Sequence, residues 1–162
     1  MRPRFLLVLA LAVGTVLPAP SFAEPATEMF SKFKPADLAA ILRDAGYRAE
    51  VVTENNRSRI RTGMGGYTVV VYLYSCEDDG TCGSLQYSMG LTKSASYTLT
   101  IANKWNQEKR YAKAYLDTNG NLYLEYDLSF RGGVTRETVA AAARLFDDLL
   151  GDFRTMLSAA PK

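Results

Sequence analysis

Histidine is missing from this chain altogether. That absence removes Ser-His-Asp and Cys-His nucleophile systems, imidazole zinc sites and the usual proton shuttle of near-neutral pH. An enzyme without it must rely on paired carboxylates, a Ser-Lys pair or a cofactor, so a non-enzymatic protein without cofactor or metal is expected. Cysteine is scarce, with only Cys76 and Cys82. Their spacing is not the redox C-x-x-C, and two thiolates without histidine do not complete a zinc site. An excess of one charge is also lacking once the first 23 residues are set aside, because they carry two arginines and no acid against a whole-chain charge of +2. A balanced chain lacks the basic excess of a nucleic-acid binder, and none is expected as a partner.

What is present begins with an export signal. Arg2 and Arg4 form a positive start, Phe5 to Val16 an apolar run, and Ser21-Phe22-Ala23 a small-residue cleavage site before Glu24. The run is shorter than the about 20 apolar residues of a membrane span, so no insertion is expected after cleavage. No cysteine follows the cleavage site to take a lipid, and Pro3 splits the arginines that a twin-arginine signal would pair. Residues 1–23 are therefore expected to be a signal peptide that sends the rest to the periplasm or outside the cell. There, an oxidising environment lets Cys76 and Cys82 close a disulfide across the polar turn Glu77-Asp78-Asp79-Gly80-Thr81.

Residues 24–33 carry Pro25 among small and polar residues and read as an extended lead-in. Pro35 suits a first helical position; Leu38, Ile41, Leu42 and Ala45 share a face, and Gly46 can end the helix. Strands are expected at Tyr47 to Thr53, Arg59 to Thr62, Tyr67 to Ser75 and Ser84 to Leu91, the third apolar on both faces and hence central. Gly63-Met64-Gly65-Gly66 lacks the Lys-Ser/Thr and the following helix of a phosphate loop, and is read as a flexible turn. Asn56-Arg57-Ser58 matches a glycosylation sequon by chance. From Ser96 to Asn106 the local propensity is β-like, yet Ile101 and Trp105 stand four apart as on a helix, so strand and helix both remain open. Lys109 to Asp117 and Asn121 to Phe130 form a hairpin in which Asn119-Gly120 would supply a primed turn. Thr135 is a candidate cap for a long C-terminal helix with an apolar stripe from Val139 to Leu157.

Gly46-Tyr47, the Cys76/Cys82 loop, Asn103-Lys104-Trp105-Asn106, the strand from Tyr111 to Asp117 and Gly132-Gly133-Val134-Thr135 together resemble the YbjN family, described as bacterial sensory transduction regulators. The resemblance covers about Lys34 to Leu157, and with it a single domain is expected over 34–158. It implies an α+β fold like that of type III secretion chaperones: a twisted antiparallel sheet flanked by an N-terminal, a middle and a long C-terminal helix. It also implies that Ser96 to Asn106 is the middle helix and that the protein is a homodimer. The family brings no defined catalytic residues.

Trp105, with Asn103 and Asn106, can be a partner anchor or a core plug flanked by capping asparagines, and burial statistics favour the plug. Glu77, Asp78 and Asp79 on one turn do not converge as calcium ligands do, and are read as a solvated tip. Glu125 and Asp127 share a strand face with Tyr123, and with Tyr111, Lys113 and Tyr115 from the paired strand. Two acids pointing the same way are poorly placed for glycoside chemistry, which needs them across a cleft. A solvent face is the plain expectation, and a tyrosine-rich surface for a peptide or protein the functional one. The candidate partner surface is thus Trp105, Asn106, Tyr123, Glu125 and Asp127. The expected function is an exported, non-enzymatic protein- or peptide-binding module, regulatory or chaperone-like, whose partner is an envelope or secreted protein. A carboxylate-dependent secreted enzyme and an envelope structural component are the alternatives.

Overall fold

Pro35 opens the first helix, α1 (Pro35–Asp44), where its missing N–H costs nothing, and Gly46 closes it at a φ of +94°. Tyr47 N–H reaches the Leu42 carbonyl and Gly46 N–H the Arg43 carbonyl, a Schellman ending that only a left-handed residue permits without strain. Tyr47 is thereby drawn out of the expected first strand and spends its hydroxyl on Asp147. Burial and the nearby Asp147 carboxylate push its phenol up to about 12. The computed structural model describes residues 28–159; the expected signal peptide and residues 24–27 of the lead-in lie outside them.

The chain continues through β1 (Ala49–Glu54), β2 (Arg57–Met64), β3 (Tyr67–Cys76), β4 (Cys82–Leu91), α2 (Leu99–Glu108), β5 (Lys113–Leu116), β6 (Leu122–Ser129) and α3 (Arg136–Ala159). The described strands lie in one antiparallel sheet of six, ordered β1-β2-β3-β4-β6-β5. This is the expected α+β fold with three helices. Strand alternation sends Ile60, Val69, Val71, Leu85, Tyr87, Met89, Leu122 and Leu124 to one face, where they meet Leu38 and Leu42 of α1 and Phe146, Leu150 and Phe153 of α3. The lead-in is tied to this body. Phe30 bridges Val134, while Phe33 bridges Cys82 and sets its buried ring edge-on to Phe130. Cys76 and Cys82 pair directly across the β3–β4 turn and are joined by a disulfide.

One open reading is settled as the family resemblance implied, and three local expectations are corrected. The segment whose helix and strand readings were both open is α2: Thr98 Oγ1 accepts from Ile101 N–H at 3.3 Å, and Ala102 and Trp105 bury on one side. Strand β3 is interior, yet Tyr72 and Tyr74 are exposed, because none of the described helices covers that side of the sheet. In the β5–β6 turn only Gly120 takes a positive φ; Asp117 Oδ1 accepts from the N–H groups of Asn119 and Asn121 and shapes the loop instead of a primed Asn-Gly pair. The Gly65-Gly66 turn is docked rather than loose, with Gly65 against Leu150 and Asp147 of α3.

Two buried hydroxyls, those of Thr62 and Tyr87, are left unpaired among the described residues. The Tyr87 ring stacks on Tyr126 and Phe146, while its hydroxyl has no hydrogen-bond partner. A buried polar atom without a partner forfeits its hydration, at about 1–3 kcal/mol. Tyr87→Phe is therefore expected to raise the unfolding free energy by about 1 kcal/mol in urea titration. A loss of stability would show that the hydroxyl has a partner, such as a buried water.

Candidate functional site on the uncovered sheet face

Among the described residues, the helices leave the other face of the sheet bare, and cross-strand registry arranges its side chains in rows. One row runs Glu50, Arg61, Val70, Ser88, Glu125, Lys113; the next runs Val52, Arg59, Tyr72, Gln86, Asp127. A third joins Tyr74, Ser84 and Ser129, and a fourth Gly90, Tyr123 and Tyr115. Strand β2 thus contributes a column of Arg57, Arg59 and Arg61, and β3 an adjoining column of tyrosines.

Glu125 organises one end of this face. It is nearly buried, and its Oε1 accepts from Tyr115 hydroxyl at 2.9 Å and Ser88 hydroxyl at 3.3 Å, while Lys113 Nζ stands 3.3 Å from Oε2. Burial, then the hydrogen bond to Glu125, raises the Tyr115 phenol well above its ordinary value. The Tyr115 ring stacks on Tyr123 with centroids 5.3 Å apart. Tyr123 in turn lies across Gly90, where any Cβ would come within 2.8 Å of the ring. Asp127 accepts from Gln86 Nε2 at 2.9 Å, and Gln86 accepts from Tyr74 hydroxyl at 3.2 Å. Burial, with Glu125 and Asp127 nearby, raises the Tyr74 phenol too. The two carboxylates share Lys113 rather than facing each other across a cleft. Their arrangement fixes tyrosine rings in place; it leaves no pair poised for acid–base work across a substrate.

Tyr123, Glu125 and Asp127 therefore fall together on this face, while Trp105 and Asn106 do not join them. Trp105 is fully buried, edge-on to Phe153 at 4.9 Å, and its Nε1 donates to the Ala112 carbonyl at 2.9 Å. It is a core residue, and its place on a partner surface is corrected: the large apolar ring fills the space between α2 and α3, and the polar tip is satisfied locally. Asn106 lies beside the sheet edge, where its amide accepts from Ala114 N–H at 2.8 Å and donates to Ala114 carbonyl at 2.9 Å. Tyr111 also leaves the site: it precedes β5 and packs against Tyr126 on the helix side. Asp79 is occupied in its own turn, accepting from Thr81 N–H and hydroxyl, bonds that hold its carboxyl below the usual range. Glu77 pairs with Lys32.

Sequence reasoning missed Arg57, Arg59, Arg61, Tyr72 and Tyr74. Alternation was the available signal: Arg57, Arg59 and Arg61 are interleaved with Ser58, Ile60 and Thr62, which face the helices. The β3 tyrosines were hidden by the apolar residues around them.

The family model described as "Putative bacterial sensory transduction regulator", YbjN, matches residues 34–159. The chain belongs to the YbjN family. A crystal structure described as "YbjN, a putative transcription regulator from E. coli" is similar with a TM-score of 0.62 at 19% identity, covering 82% of this chain and 94% of that one. An uncharacterized protein from Methanothermobacter thermautotrophicus is similar at a TM-score of 0.52 and 10% identity, over 76% of this chain and 95% of that one. The Yersinia pestis type III secretion chaperone SycH, solved with a fragment of YscM2, follows at 0.48 and 10%, over 74% of this chain and 98% of that one. No curated protein matches. This YbjN-family chain thus shares its fold with the solved YbjN at a sequence distance where residue roles do not transfer. Among the described residues, no helix is long and apolar enough to cross a membrane.

Proposed function

We propose that this YbjN-family protein is an exported, non-enzymatic binding module that holds a segment of an envelope or secreted protein against the bare face of its sheet. The observation that carries this reading is the set of tyrosines on an uncovered face, with Tyr72 and Tyr74 exposed and Tyr115 and Tyr123 stacked and held by Glu125. Tyrosine presents a large, stiff contact surface with a polar tip, and it is enriched where proteins meet. The arginine column beside it adds donors for carboxylates or carbonyls of a partner. Export is supported by the charged start, apolar run and small-residue site of residues 1–23.

The test is photo-crosslinking in the producing cells, with a photoreactive side chain at Tyr74 and, for comparison, at the exposed Asp148 on α3. A discrete adduct from position 74 alone, weakened when Tyr72 and Tyr123 become serine, is expected. Equal labelling from both positions, or none from position 74, would overturn the reading. The same protein, recovered from the envelope fraction, should begin at Glu24.

A further inference from the structure

The sheet has two edges, and they are treated differently. On β5, the Asn106 side-chain amide makes both hydrogen bonds that a neighbouring strand would make to Ala114, and Trp105 takes the Ala112 carbonyl just before it. An edge strand is a template for further pairing unless something blunts it, and here a helix does so. On β1, among the described residues, only Arg43 touches the outer backbone, donating to the Ala49 carbonyl at 2.9 Å. That carbonyl keeps a second lone pair. Strand β1 contains no proline or lysine, and Val51 is 37% exposed.

Registry decides which backbone groups are free. Asn55 and Asn56 both take positive φ, 50° and 59°, as in a two-residue primed turn, so Glu54 and Arg57 form the hydrogen-bonded pair. Alternation then turns Val52 and Glu50 toward β2 and leaves the N–H and C=O groups of Ala49, Val51 and Thr53 pointing off the edge.

We infer that β1 pairs antiparallel with β1 of a second copy of this chain, about a two-fold axis at Val51. The sequence Arg48-Ala49-Glu50-Val51-Val52-Thr53-Glu54 is complementary to its own reverse in that register. Arg48 falls opposite Glu54 of the other copy at both ends, Ala49 opposite Thr53, Glu50 opposite Val52, and Val51 opposite itself. The outward groups of Ala49, Val51 and Thr53 then all find partners. Sliding by two residues to centre on Val52 would set Glu50 against Glu54, a like-charge pair that destabilises a sheet. The result is a two-fold dimer with one continuous sheet, in which both bare faces stay open on the same side. The inference does not depend on the partner proposal, and each fails by a different measurement.

The test uses the protein purified from the producing cells, with its mass followed against concentration by analytical ultracentrifugation. Dimer formation is expected. Val51→Pro removes an outward N–H, a change an edge strand tolerates, and should raise the dissociation constant by about tenfold or more. Arg48→Glu and Glu54→Arg should each weaken the dimer, and the two together should restore it. That recovery separates association from folding, since each swap alters the same chain. Val51→Cys should form an intermolecular disulfide under mild oxidation, because facing residues of a hydrogen-bonded pair stand about 5.5 Å apart at Cα; Val52→Cys should not. A monomer at all concentrations, a dimer indifferent to Val51→Pro, or crosslinking through position 52 instead of 51 would overturn the inference.

Discussion

Trp105→Ala is expected to lower the unfolding free energy by about 3–5 kcal/mol, the range for deleting a large buried aromatic side chain. Two losses combine. The indole is fully buried and edge-on to Phe153, so its removal opens a cavity between α2 and α3 that a long, well-anchored helix cannot collapse to fill. The Ala112 carbonyl also loses the Nε1 donor 2.9 Å away. Trp105→Phe separates the two, because it keeps most of the ring and removes only the hydrogen bond, and should cost less than half as much. Urea denaturation followed by circular dichroism measures both. If Trp105→Ala left stability unchanged while weakening partner capture, the indole would belong to a binding surface and its assignment to the core would be wrong.

Gly65→Ala is expected to cost about 2–5 kcal/mol. At a φ of +58° a side chain strains the backbone by roughly 1–2 kcal/mol. A new Cβ would also lie 2.8 Å from Leu150 Cβ of α3, so one of the two must shift. The resulting overpacking adds about 1–3 kcal/mol. Its neighbour isolates the first effect: Gly66 has a φ of +83°, but its nearest contact is the flexible end of Arg154 at 3.7 Å. Gly66→Ala should therefore show the backbone cost alone. Equal losses at the two positions would mean that the turn does not press on α3.

Much of this architecture was legible because it rests on local chemistry. Pro35 and Gly46 bracket α1, Thr135 caps α3 through the Thr138 N–H at 2.9 Å, and alternation from Leu122 to Phe130 separates the faces of β6. Tertiary packing settled what local signals left open. The run from Tyr97 to Ile101 has strand-like residues, but burying Ala102 and Trp105 together requires helical spacing. Coverage was not legible either: apolar residues on both faces of β3 look the same whether one layer of helices packs there or two. Tyr123, Glu125 and Asp127 were placed together because period-two alternation is exact within a strand. Arg59, Tyr72 and Gln86 could join them only once strand order and register were known.

The Asn106 amide on Ala114 has a consequence for the size any assembly can reach. A sheet with two open edges can add a copy at each end and grow without limit into a fibre. With β5 closed by a side chain, the proposed β1 pairing leaves each molecule a single growing end, and two such ends would satisfy one another. Asn106→Ala would uncover a second end on a chain that otherwise stops, which turns a helix residue with no part in the binding face into a guard against fibrous aggregation.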